Sequence, residues 1–359
     1  MAHDLVTELL QYSSLACFMP IWQLCANLLI PNCLRSNLSY SLLAALELYV
    51  KKTDSMLLSI CVPIYGTEKY IERCARSLFE QDIQEVEYIF VNDCTKDAAI
   101  DVLKNVVADY PNVRSRVKII NHETNKGLAG ARLTGLQNAT GEYVWCIDSD
   151  DYVDKIAIEV LFPYMLDNYD FISFNYFLND GQTLTKFLSK SLSVKNLLMN
   201  RIPPSIWKCV VKKDLYVNND IWPVVGINVS EDYLLTARLI LVAQKKILLD
   251  KEFLYYYNVS NLDSYMNNMK ESSFENCVDS ALIIYDFYRN KEKLFLYKKQ
   301  LAYMLAVNYM RLIKVNPYNT RCSKLAHLIG ELNKTYLMVA KSCLSLSHKM
   351  TILRLLTHI

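Results

Sequence analysis

The chain has 359 residues, 52% of them hydrophobic and 21% charged, which suffices for one large domain with an appendage or for two modest domains. Thirty-nine Lys plus Arg against thirty-seven Asp plus Glu leave a formal charge of +2, so no global basic field points to nucleic acid. Eight glycines and nine prolines exclude a collagenous or low-complexity chain, and the hydrophobic fraction excludes a disordered one.

Residues 1–55 stand outside the periodic pattern that follows and read as an N-terminal leader of uncertain structure. Its uncharged stretch from Leu9 to Leu34 is broken by Pro20, Gln23, Asn27, Pro31 and Asn32, which argues against a membrane span. It also lacks the basic start of a secretory signal. Met56 immediately precedes the first predicted strand, so the leader reads as an annex or an upstream translation artefact.

From Leu57 a strand–helix alternation sets in. LLSICVPI (Leu57 to Ile64) predicts a strand, and Ile71, Cys74, Leu78 and Phe79 follow at helical spacing. YIFVN (Tyr88 to Asn92) is the next strand, followed by Ile100, Leu103 and Val107 on a helix with Asp97 as N-cap. VKIIN (Val117 to Asn121) is the third strand, a helix from Ala129 to Thr140 is expected to end at Gly141, and YVWCID (Tyr143 to Asp148) is the fourth strand. Such spacing builds βαβ units and a parallel sheet covered on both faces, whose ligands bind beyond the strand C-termini. Phe171 to Phe174 predicts a further strand in a mixed region reaching about Tyr257. Ile283, Phe287, Phe295, Leu301, Met304, Leu305 and Leu312 fit helices, so the end of the chain is mainly helical.

Eleven cysteines are scattered singly with no C-x-x-C pair, and read as reduced core residues of a cytosolic protein. Five separated histidines form no H-E-x-x-H, so zinc is not expected. The strongest local signal is Asp148-Ser149-Asp150-Asp151 at a strand end. Carboxylates at i and i+2 of an extended chain project to the same side, where they can hold Mn²⁺ or Mg²⁺ bridging to a substrate diphosphate. Taken alone, the spacing fits a solvated acidic turn equally well.

Three blocks occur in order: LSICVPIYGTEKYIERCARSLFEQ from Leu58, YIFVNDCTKD from Tyr88, and NKGLAGARLTGLQNATGEYVWCIDSDDYVD from Asn125. This region resembles the family 2 glycosyltransferases of bacterial surface-polysaccharide synthesis. The likeness is dense from Met56 to Asp154 and thinner over Ser205 to Tyr216, Ser230 to Leu235 and Phe253 to Asn258. It implies an α/β GT-A fold, a mostly parallel sheet flanked by helices, spanning 56–260, with a helical C-terminal region at 261–359.

The resemblance further implies an inverting, metal-dependent transferase of the hexosyltransferase type. It would move a sugar from a nucleotide-diphosphate donor, a UDP-sugar, to a hydroxyl of a glycan or lipid-linked acceptor. Pro63, Tyr65 and Glu68 would line the base pocket, and Asp93 would accept from the uracil N–H. Arg132 would reach donor oxygens, Asp148 would bind the ribose or donor sugar, and Asp150 would ligate the metal. Asp232, in Glu231-Asp232, would be the catalytic base. Trp207 and Lys208 fall at acceptor-side positions, although a buried Trp beside a snorkelling Lys is the plainer reading.

Two departures bear on the donor: Asn92-Asp93-Cys94-Thr95 stands where the family has D-D-G-S, and Gly66 replaces its usual Asn. No Q-x-x-R-W block occurs, which argues against a processive membrane synthase. The alternative is a non-catalytic nucleotide-sugar-binding or membrane-surface interaction protein on the same scaffold. Beyond Glu331 the chain has no acidic residue but carries Lys334, Lys341, Lys349 and Arg354 among leucines. That composition suits peripheral contact with an anionic membrane from the cytoplasmic side, or a helix packed on the domain.

Overall fold

A computed structural model describes residues 56–359 apart from 190, 262–268, 343–344 and 357–359. The leader, with its Leu9 to Leu34 stretch, lies outside the described residues.

The first half is laid down in βαβ units. Strands β1 (Leu58–Ile64), β2 (Val86–Asn92), β3 (Val117–Asn121) and β4 (Tyr143–Cys146) run parallel in the order β3-β2-β1-β4. Helices α1 (Ile71–Phe79), α2 (Ala99–Asp109) and α3 (Gly127–Asn138) connect them. Every residue of β1 is buried, as an unbroken apolar strand between two helical layers requires. The predicted stripe Ile71, Cys74, Leu78 and Phe79 is the buried face of α1, and Phe79 meets Tyr88 and Phe90 edge-on at 5.1 and 6.0 Å.

The end of α3 differs from expectation. The helix stops at Asn138, with Ala139 already extended, so Gly141 is not its cap. Gly141 instead lets the chain cross β1 closely: a Cβ there would lie 2.7 Å from the Ser59 nitrogen.

The second half comprises β5 (Tyr152–Val153), α4 (Ala157–Leu166), β6 (Phe171–Asn179), β7 (Leu184–Phe187), α5 (Val194–Leu198), β8 (Cys209–Lys212), α6 (Lys213–Asn219), α7 (Glu231–Val242) and β9 (Lys246–Asn258). The sheet continues β4-β8-β6-β9-β5, with β7 on β6. β8 runs against both β4 and β6, and β5 against β9, so the sheet is parallel in its βαβ half and mixed beyond it. Antiparallel neighbours widen the sheet without another crossover helix.

Helices α8 (Glu271–Asn290), α9 (Lys298–Val315), α10 (Arg321–Leu332), α11 (Lys334–Lys341) and α12 (Leu346–Leu356) follow and bury a second core around α9. α7 joins the two cores: Leu234, Ala237 and Ile240 pack into the helical cluster, Leu235 and Leu239 against the sheet. Phe295, expected on a helix, instead lies in the exposed connection between α8 and α9. In the tail Tyr336, Ala340 and Leu353 are buried in the helical core, while Lys334 and Lys341 stay exposed. Among the described residues no helix is long and apolar enough to cross a membrane.

Candidate active site

Three acidic residues, two of them about 100 positions away in the sequence, converge on one buried cation. Arg132, in the middle of α3 and 1% exposed, donates through Nη2 to Asp148 Oδ1 at 2.6 Å and through Nη1 to Asp232 Oδ1 at 2.6 Å. Nη1 also bonds Glu231 Oε1. The Asp148 and Asp232 side chains keep 22% and 23% exposure, Glu231 only 7%, so two of the three carboxylates can meet a ligand and the third is fixed inside. Burial alone would lower the Arg132 pKa, but the three carboxylates, Asp148 foremost, outweigh it and hold the guanidinium charged. Burial pushes Glu231 and Asp232 above the usual carboxylate range, with Arg132 opposing. Arg132 is therefore no surface ion pair.

The acidic turn after β4 divides its labour. Asp151 is fully buried, accepting from the Tyr255 hydroxyl at 2.7 Å and the Asn258 N–H at 2.7 Å, which ties the turn to β9. Asp150 accepts from Asn261 Nδ2 at 2.8 Å, and burial followed by the like charge of Asp148 raises its pKa. Two like charges sharing a half-buried turn favour a cation beside them. Among the described residues, no group of three or more His, Cys, Asp or Glu is arranged to hold a metal.

Asp93, after β2, is 2% exposed. Its Oδ1 accepts the Lys126 N–H at 2.7 Å and lies 2.7 Å from His122 Nδ1, while His122 Nε2 lies 2.8 Å from Thr134 Oγ1. Both of these bonds fall on Oδ1. Pro63 is buried at the end of β1, Tyr65 beyond it is 51% exposed, and Glu68 accepts the Ala98 N–H at 3.1 Å at the start of α2. Asp97 accepts the Ala99 N–H at 3.3 Å, but it is not the predicted N-cap: α2 begins one residue later, with Ala98 at that position and no side chain capping the helix. Trp207 is buried, stacked on Tyr255 and Tyr257 at 4.5 and 5.1 Å. Lys208 does not snorkel: it is buried, and its ammonium donates to Ser189 Oγ at 3.1 Å.

Residues 59–213 match the Glycosyl transferase family 2 model. The chain carries a glycosyltransferase family 2 domain. It is 26% identical over 287 residues to Bacillus subtilis EpsH, named a glycosyltransferase, covering 76% of this chain and 80% of EpsH. It is 29% identical over 224 residues to the poly(ribitol-phosphate) beta-N-acetylglucosaminyltransferase TarS of Staphylococcus aureus, covering 59% of this chain but 37% of TarS. The crystal structure of TarS 1–349 with UDP-GlcNAc superposes with a TM-score of 0.57 at 20% identity, covering 80% of this chain and 87% of that one. That likeness establishes the GT-A fold.

The site also depends on residues that sequence reasoning passed over, some of them beyond the matched 59–213. Asn228 Oδ1 accepts the Ala129 N–H at 3.1 Å, capping the first turn of the helix that carries Arg132. The Asn228 N–H in turn donates to Asn276 Oδ1 of α8 at 3.0 Å. Gly127, at φ +76°, leaves room for Asn228, whose amide a Cβ would meet within 2.5 Å. His122, Thr134 and Tyr255 also carried no readable signal, because each acts through a partner remote in sequence.

Proposed function

We propose that this chain is an inverting glycosyltransferase of the hexosyltransferase type, transferring from a UDP-sugar to a hydroxyl of a glycan or lipid-linked acceptor during bacterial surface-polysaccharide synthesis. The observation that carries this reading is the convergence of Asp148 and Asp232 on Arg132, both partly open to solvent. It joins the end of a central strand to the start of α7, where a donor and an acceptor can meet. The TarS complex, which holds UDP-GlcNAc, supports the choice of donor class.

In this reading Asp232 accepts the proton of the acceptor hydroxyl as that oxygen attacks the anomeric carbon in one displacement. Arg132 donates to one oxygen of the Asp232 carboxylate, and the 23% exposure of that side chain is what lets an acceptor reach it. Glu231 stays buried and fixes the guanidinium. Asp148 binds the ribose or donor sugar, Tyr65 covers the base beside Pro63 and Glu68, and Asp93 offers its second oxygen to the uracil N–H. Asp150, with Asp148, would hold Mn²⁺ or Mg²⁺. The cation would neutralise charge on the departing nucleotide. The chain would work in the cytoplasm, attached peripherally to the membrane.

The test is a screen of nucleotide sugars for divalent-cation-dependent hydrolysis, with the Asp232→Asn chain as control. Release of UDP from a UDP-sugar by the parent but not the variant is expected. Donor binding with no hydrolysis under any condition would favour a non-catalytic module.

A further inference from the structure

The connection between α8 and α9 presents to water what an interior usually takes. Phe295 is 92% exposed and Leu296 59%, whereas Tyr288 and Leu301 on the flanking helices are fully buried. Lys291, Lys293, Lys298 and Lys299 flank the pair in the sequence, all exposed, and residues 291–299 hold a single acid, Glu292. The corner is hydrogen-bonded rather than loose. The Lys293 N–H donates to the Tyr288 carbonyl at 2.9 Å and the Tyr297 N–H to the Lys293 carbonyl at 3.2 Å. Lys291 Nζ reaches Asn219 Oδ1 at 2.9 Å and lies 5.5 Å above the Phe287 ring.

We propose that this corner docks the protein on an anionic lipid bilayer. Phe295 and Leu296 enter the headgroup boundary, and the lysines face acidic headgroups. Each lysine near such a surface strengthens attachment by about fivefold. Two apolar side chains are too few to seed a stable protein interface, which needs about 1,000 Å² of buried surface. A bilayer accepts them singly. A polyanionic glycan would engage the lysines but leave Phe295 in water.

The fold also fixes the orientation. α7 and α8 run side by side in the same direction: the Val229 N–H donates to Asn276 Oδ1 near one end, and the Tyr288 hydroxyl donates to the Ala237 carbonyl further along. From Asn276 to the end of α8 the helix rises about 20 Å, so the corner lies at the end of these helices opposite Glu231 and Asp232. Docking there leaves the carboxylate site uncovered. This attachment is independent of the reaction assigned to the site.

The experiment is flotation of the full chain with phosphatidylcholine vesicles, with and without phosphatidylglycerol, for the parent, Phe295→Ser/Leu296→Ser and Lys293→Glu/Lys298→Glu/Lys299→Glu. Circular dichroism checks the fold of each. The parent should float only with anionic vesicles, both variants should partition at least about tenfold less, and vesicles should leave nucleotide-sugar hydrolysis unchanged. No flotation of the parent, equal flotation with neutral vesicles, or undiminished flotation of the serine variant would overturn the proposal. So would binding that inorganic polyphosphate abolishes while the serine variant behaves as parent, which marks a polyanion site.

Discussion

The Arg132 guanidinium donates to the Asp232 carboxylate at 2.6 Å across 100 residues of sequence, and with the bond to Glu231 it ties the third helix of the parallel half-sheet to the first turn of α7. Arg132→Ala would leave Asp148, Glu231 and Asp232 together without a cation. Removing one partner of a buried pair costs about 3–5 kcal/mol. Arg132→Lys keeps the charge but not the fork, so it should fold better than the alanine variant and still transfer poorly. Thermal unfolding beside donor-hydrolysis rates checks both; an alanine variant as stable as the parent would contradict the geometry.

Asp232→Asn should lower turnover by about 10²–10⁴, the usual contribution of a general base, with donor affinity nearly unchanged. Asp150→Asn should instead weaken Mn²⁺ binding in the presence of UDP. Calorimetry separates the two variants. Loss of donor affinity in the first with normal residual turnover would show that Asp232 binds donor rather than acting as base.

Burial raises the Asp232 pKa, with Asp148 adding to it and Arg132 opposing. A base works only when deprotonated, so turnover should rise with pH through a limb lying above the ordinary aspartate value of about 4. The profile of kcat against pH is the measurement. That limb should disappear in Asp232→Asn.

His122→Ala leaves Asp93 Oδ1 with the Lys126 N–H as its remaining described partner. Loss of one orienting bond should raise KM for the UDP-sugar about tenfold while kcat changes little, and should narrow the preference for UDP over GDP. His122→Asn should restore part of it. Steady-state kinetics and thermal shifts with both nucleotides decide. A fall in kcat at constant KM would remove His122 from donor binding.

Cys94 stands at φ +59°, in the left-handed region where the related family has glycine. A side chain there costs about 1–2 kcal/mol, part of which glycine returns through its freer unfolded chain. Cys94→Gly should therefore stabilise the domain by about 0.5–1 kcal/mol, read as a small rise in Tm.

Local pattern made much of this protein legible. Unbroken apolar runs and helical stripes gave β1 to β4 and the helices between them, since the period of burial is written in neighbouring residues. The order of the blocks pointed to Asp93, Arg132, Asp148, Asp150 and Asp232 as a set. Tertiary structure alone decided what each does to the others. No spacing could show that Arg132 is buried under three carboxylates, that Asp151 is spent on Tyr255 and Asn258, or that Asn228 caps the helix of Arg132, because all of those contacts but the one to Asp148 join residues about 100 positions apart. The same holds for Gly141, which by sequence resembles a helix cap but is required by the close passage of β1, and for Phe295, whose helical spacing hid a turn. Periodicity records which side of an element is apolar. Only packing settles what that side, or a charge beside it, finally meets.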